Sequence, residues 1–82
     1  MFILILVIIM RKYERIRALR EDAALTQKAV GEAINVPQRT YAYYESGQRM
    51  IPPHVLCALA DFYHVSVDYL LERTANKQPY ND

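Results

Sequence analysis

Glycine occurs twice and cysteine once in this 82-residue chain, and each scarcity excludes something. Two glycines and four prolines leave little from which to build hairpin turns, so a mostly helical chain is favoured. A single cysteine, Cys57, forms no intramolecular disulfide, and a cytoplasmic setting is compatible with that. Its flanks, VLCALA, read as helix core, which predicts a buried thiol acting as a small hydrophobe. No apolar run reaches the roughly 20 residues that a membrane-spanning helix needs, so no membrane role is expected. The chain also lacks a glycine-rich phosphate loop, a paired-carboxylate motif and a nucleophile with base and orienting acid, so neither an enzyme nor a cofactor is expected. His54, Cys57 and His64 have no recognised zinc spacing, and no metal is expected.

The length fits one small domain, and 52% hydrophobic with 23% charged residues suits a folded chain. The formal charge of +1 hides an uneven distribution. Arg11, Lys12, Arg15, Arg17 and Arg20 crowd one run, whereas acids dominate around Asp61, Asp68 and Glu72. The N-terminal half is therefore expected to present a local positive surface.

The opening MFILILVIIM is almost wholly apolar and stops at RKYERIR. A signal peptide carries its positive charge before the apolar stretch, the reverse of this order. A strand or helix extension that pairs with a neighbour, or translation from a start at Met10, are the alternatives the sequence leaves. The Ile and Val content favours a strand over a helix.

From Arg11 the apolar positions take helical spacing, with Tyr13, Ile16 and Leu19 on one side, predicting a first helix that ends near Glu21. Thr26 caps a second over about Gln27 to Ile34, with Val30 and Ile34 on its buried face. Gly31 inside it costs about 1 kcal/mol against alanine, which predicts a close helix approach. Asn35 tolerates the left-handed conformation that closes helices, and Pro37 can start a third, running to Ser46 and stopped by Gly47. On that helix Tyr41 and Tyr44 share one face, and Gln38, Arg39, Ala42 and Tyr43 the opposite one. PPHVLCALADFY predicts a fourth helix, with Val55, Leu56, Leu59, Ala60 and Tyr63 in register. VSVDYLL predicts a short fifth, capped by Ser66. The tail ANKQPYND has no apolar period and reads as mobile.

The segments LTQKAVGEAINVPQRTYAYYESGQR and LADFYHVSVDYLLERT together resemble the phage-repressor-like helix-turn-helix family, of Cro-like or xenobiotic-response-element type. The resemblance spans about Tyr13 to Thr74. It implies an all-α, lambda-repressor-like bundle of five helices over residues 11–74, between the apolar leader 1–10 and the tail 75–82. Helices two and three would form the helix-turn-helix, with the third in the DNA major groove. By position, Gln38, Arg39, Thr40 and Tyr43 match base contacts, while Gln27, Lys28, Ser46 and Arg49 match phosphate contacts. An arginine fork suits guanine O6 and N7, and a glutamine amide suits adenine N7 and N6. Glu45 matches an acid that pairs with an arginine at the position of Arg20, which makes both structural. The chain departs from the pattern at Pro37, often serine, at Asn35, often glycine, and in the loop QRMIPP, poorer in lysine than many relatives.

The resemblance therefore implies a sequence-specific transcriptional regulator, a repressor in the first instance, binding a double-stranded DNA operator as a homodimer. The alternative is a protein-interaction module, such as an antitoxin or accessory protein, with a toxin or protein antagonist as partner.

Overall fold

The computed structural model describes residues 13–78. The leader 1–10, with its alternative of a pairing strand or helix, lies outside the described residues. Among the described residues five helices follow one another: α1 (Glu14–Asp22), α2 (Gln27–Ala33), α3 (Gln38–Ser46), α4 (Pro53–Tyr63) and α5 (Val67–Leu70). The expected ends agree to within a residue or so; Pro37 caps α3 from outside rather than forming its first turn. Among the described residues there is no strand, and no helix is long and apolar enough to cross a membrane.

Two helices start on hydroxyl caps. Thr26 Oγ1 accepts from the Ala29 amide at 3.0 Å, and Ser66 Oγ from the Tyr69 amide at 3.0 Å, each satisfying a donor that a helix start leaves without a partner. The ends share a device. After each of the five helices one residue turns left-handed: Ala24, Asn35, Gly47, His64 and Glu72, with φ from 56° to 83°. The next amide then reaches back to a carbonyl in the last turn. The bonds are Leu25 N to Arg20 O at 3.0 Å, Val36 N to Gly31 O at 2.7 Å, Gln48 N to Tyr43 O at 3.0 Å, Val65 N to Ala60 O at 2.9 Å and Arg73 N to Asp68 O at 2.8 Å. Asn and Gly advertise such a closure; Ala24 and Glu72 do not, and at each the returning hydrogen bond accompanies a Cβ at positive φ.

Gly31 is needed for the second of these turns. A Cβ placed there would lie 2.7 Å from the Val36 carbonyl oxygen. The missing side chain thus makes room first for the returning backbone of the α2–α3 turn, with the backbone of Gln38, the first residue of α3, next at 3.7 Å.

The core gathers Tyr13 and Ile16 from the α1 side, Val30 from α2, Tyr41 from α3, Val55, Leu59 and Ala60 from α4, Leu70 from α5, and Ile51 and Val65 from the connections. α2 packs on α3, α4 on α5, and α1 touches both α3 and α5. Tyr13 is buried with its hydroxyl accepting from the Ile51 amide at 3.2 Å, so an aromatic ring serves the core without leaving its polar end unsatisfied.

Cys57 is exposed, against the expectation of a buried thiol. At 100° per residue, Val55, Leu59 and Ala60 claim the inner face of α4, and Cys57 falls with His54 and Asp61 on the outer one. Just before the tail, Thr74 O accepts from the Arg15 guanidinium at 2.8 Å, and within it Lys77 O accepts from the Ser66 amide at 2.9 Å.

Gly31→Ala is expected to lower stability by about 1–3 kcal/mol, because overpacking against backbone oxygen outweighs the gain in helix propensity. Ala24→Gly is expected to raise it by roughly 0.5–1 kcal/mol by relieving a left-handed alanine. The midpoints of urea unfolding measure both.

Candidate nucleic-acid interface

α3 carries two faces at helical spacing. Tyr41 is fully buried and Tyr44 half-buried, while Gln38 and Arg39 at the helix start are exposed and Thr40, Ala42 and Tyr43 half-buried. The α2–α3 turn, held by the left-handed Asn35 and the Val36 to Gly31 bond, sets how far α3 projects from α2. Lys28, Ser46 and Arg49 are exposed and Gln27 half-buried.

What holds α3 in place is a buried ion pair. Arg20 donates from Nε to Glu45 Oε2 and from Nη2 to Glu45 Oε1, both at 2.8 Å, and its remaining fork nitrogen Nη1 donates to Leu25 O at 2.9 Å. The two side chains are only 14% and 4% exposed, so this is a fork-on-carboxylate pair largely out of water. Gln27, expected at a phosphate, donates from Nε2 to Glu45 Oε1 at 3.3 Å. α1, α2 and α3 therefore meet on one carboxylate.

Two tyrosine hydroxyls, of Tyr41 and Tyr63, are buried near this carboxylate without a well-formed hydrogen bond. Burial first, and then the negative charge of Glu45, push both phenols upward, Tyr63 to about 12, so both stay protonated. Glu45 moves the other way. Burial pushes its carboxyl up, but the Arg20 hydrogen bonds, helped by the Tyr41 hydroxyl and the Gln27 amide, more than reverse this and hold it below the ordinary 4.5.

Two of the described arginines of α1, Arg15 and Arg20, are engaged within the fold. Arg15 donates to Tyr69 O at 3.1 Å and Thr74 O at 2.8 Å and lies 4.3 Å over the Tyr69 ring. Arg17 meets Glu21 at 3.3 Å on the surface, a pair that contributes little in water. By contrast, Arg39, Gln38 and Lys28 are exposed and make no side-chain hydrogen bond or ion pair with a described residue. Arg49 lies over the Tyr43 ring at 4.8 Å.

Beside α3 an open cleft of about 210 Å³ is lined by Arg17, Arg20, Gln27, Ala42, Glu45 and Ser46. It brings together two of the expected phosphate contacts, Gln27 and Ser46; Lys28 and Arg49 are not part of it. Arg17, which the sequence marks only as one of the basic run and not as a DNA contact, lies three residues before Arg20 on the same side of α1.

Glu45 has a lowered folded-state pKa, so its contribution is complete above the unfolded value and is lost as pH falls through the folded one. Stability is expected to decline as pH falls below the ordinary carboxylate value of 4.5, and Glu45→Gln to flatten part of that decline. At neutral pH the same substitution is expected to cost about 3 kcal/mol, because it leaves Arg20 charged and short of its partner in a buried site. Urea unfolding across pH measures both effects.

Comparison with known proteins accords with this geometry. A helix-turn-helix family model matches residues 16–70, two thirds of the chain. The chain is 36% identical over 66 residues to the uncharacterized HTH-type transcriptional regulator YobD of Bacillus subtilis, covering 80% of this chain and 59% of that protein. It is 34% identical over 58 residues to the HTH-type transcriptional regulator ImmR of the same organism, covering 71% of this chain and 46% of ImmR. A crystal structure of a transcriptional regulator from Listeria innocua superposes with a TM-score of 0.71 at 31% identity, over 85% of this chain and 64% of that one. The chain thus spans about half to three fifths of the curated relatives it matches. With the five described helices in this order, the α2–α3 turn and the matched segment together, the chain belongs to the phage-repressor-like helix-turn-helix family, of Cro/C1 type.

Proposed function

We propose that this chain is the DNA-binding part of a sequence-specific transcriptional regulator, a repressor that acts by occupying its operator. The observation that carries the reading is the contrast among arginines. Arg15, Arg17 and Arg20 bond within the chain, whereas Arg39 stands exposed at the start of α3 with no described side-chain partner. A charged fork left unspent on a rigid, outward helix is suited to a ligand.

α3 enters the major groove from its N-terminal end. Arg39 forks onto guanine and Gln38 onto adenine, with Thr40 flanking them. Lys28, Ser46 and Arg49 take backbone phosphates, which set register and affinity but not sequence. Gln27 reaches a phosphate in the cleft from its place on Glu45. The protein binds as a homodimer on a roughly palindromic operator, its half-sites about one helical turn apart, since a two-fold protein matches a two-fold site.

The test is selection from random duplexes, followed by titration of the selected and a scrambled sequence across salt. Arg39→Ala is expected to cost about 1–3 kcal/mol on the selected duplex and to relax preference at one base position. Lys28→Ala should weaken both duplexes alike and lower the salt slope by about one. Equal wild-type affinity for the two duplexes would overturn sequence-specific recognition.

A further inference from the structure

We infer that Tyr43 and Arg49 work as one unit, in which the tyrosine ring is a positioning group for the arginine and the arginine takes a DNA phosphodiester. This rests on the DNA-binding reading above and changes the part Tyr43 plays in it. Tyr43 occupies the outward face of α3, where the family resemblance suggests a base contact. The geometry points to its ring and its carbonyl instead.

The Arg49 guanidinium carbon lies 4.8 Å from the centre of the Tyr43 ring, within the range of an attractive cation–π contact. The backbone arranges that meeting. Gly47 turns left-handed at φ 83°, and the chain returns so that the Tyr43 carbonyl accepts from the Gln48 amide at 3.0 Å and the Arg49 amide at 3.3 Å. It also accepts from the Ser46 hydroxyl at 3.1 Å. Arg49 is thus held at its amide by the Tyr43 carbonyl and at its guanidinium by the Tyr43 ring.

The two members differ in exposure, Tyr43 being half-buried and Arg49 exposed. The half-buried ring sits on a helix whose carbonyl also holds the Arg49 amide, and the charge beside it belongs to an exposed residue. A free arginine loses much side-chain freedom when it binds an anion; one already laid on a fixed ring loses less. The loop QRMIPP is poor in lysine, so a preorganised Arg49 is well suited to supply a backbone contact at the C-terminal end of α3.

The measurement is affinity of the full chain for a selected and a scrambled duplex, each across salt, for Tyr43→Phe, Tyr43→Leu, Arg49→Ala and Tyr43→Leu with Arg49→Ala. Tyr43→Phe keeps the ring face and should bind like the wild type. Tyr43→Leu should weaken both duplexes alike by about two- to fivefold, and Arg49→Ala by at least as much, with a salt slope lower by about one. In the Arg49→Ala background Tyr43→Leu should change nothing further. Should Tyr43→Leu fail to fold, phenylalanine fluorinated to weaken the ring face keeps the shape and takes its place. Its affinity should fall only while Arg49 is present.

A loss with Tyr43→Phe as large as with Tyr43→Leu, independent losses at the two positions, or a changed base preference would overturn the unit and leave the DNA-binding reading standing. A wild type that does not prefer the selected duplex overturns sequence-specific reading. The pair is then judged on the salt slope of non-specific binding, and an unchanged slope in Arg49→Ala overturns it too.

Discussion

The Arg20–Glu45 pair is the contact on which the rest of the arrangement depends. Glu45 sits near the end of α3, on the side that faces inward, and takes both arms of an arginine from α1 at 2.8 Å. The third arm closes on Leu25 O at 2.9 Å, just before α2, and Gln27 of α2 adds its amide at 3.3 Å. An ion pair taken out of water is a weak contributor to net stability unless its remaining hydrogen bonds are met. Here they largely are, and the consequence is orientational. Three helices are referred to one carboxylate, so the angle of α3 does not depend on apolar packing alone.

That pair also explains an economy in the charges. A run of basic residues on α1 suggests a positive face turned to a polyanion, but Arg15 is drawn to the carbonyls of Tyr69 and Thr74 and Arg20 to Glu45. Both serve to close the bundle, one on the side of α5, the other on the side of α3. The cation left outward on α3 is Arg39. Charge counted along a sequence and charge available to a ligand are therefore different quantities, because a guanidinium with several donors satisfies buried carbonyls and carboxylates before it reaches solvent.

The helices and the two faces of α3 were readable because both follow from spacing and from local chemistry. Tyr41 and Tyr44 against Gln38, Arg39 and Tyr43 is a statement about 100° steps, and hydroxyl caps at Thr26 and Ser66 need only a neighbouring amide. The burial of Cys57 was misread for a related reason. Its apolar neighbours suggested core, but Val55, Leu59 and Ala60 already fill the inner stripe of α4, and a residue between them points out. Gly31 was recognised as a position that needs a missing side chain, while the identity of the atom above it, the Val36 oxygen, depends on how the chain returns from Asn35.

Sequence alone determined the order and extent of the helices, the outward residues of α3 and, by resemblance, the expectation that Arg20 and Glu45 serve structure, since periodicity and caps act over a few residues. Tertiary structure decided which polar groups are consumed inside. It placed Gln27 on Glu45, Arg15 on the backbone beyond α5 and Arg49 over Tyr43. It also imposed the left-handed closure on Ala24 and Glu72, which carry no local preference for it. Each of these depends on what the remainder of the chain brings within reach, and distances across a bundle are not encoded in the spacing of any one helix.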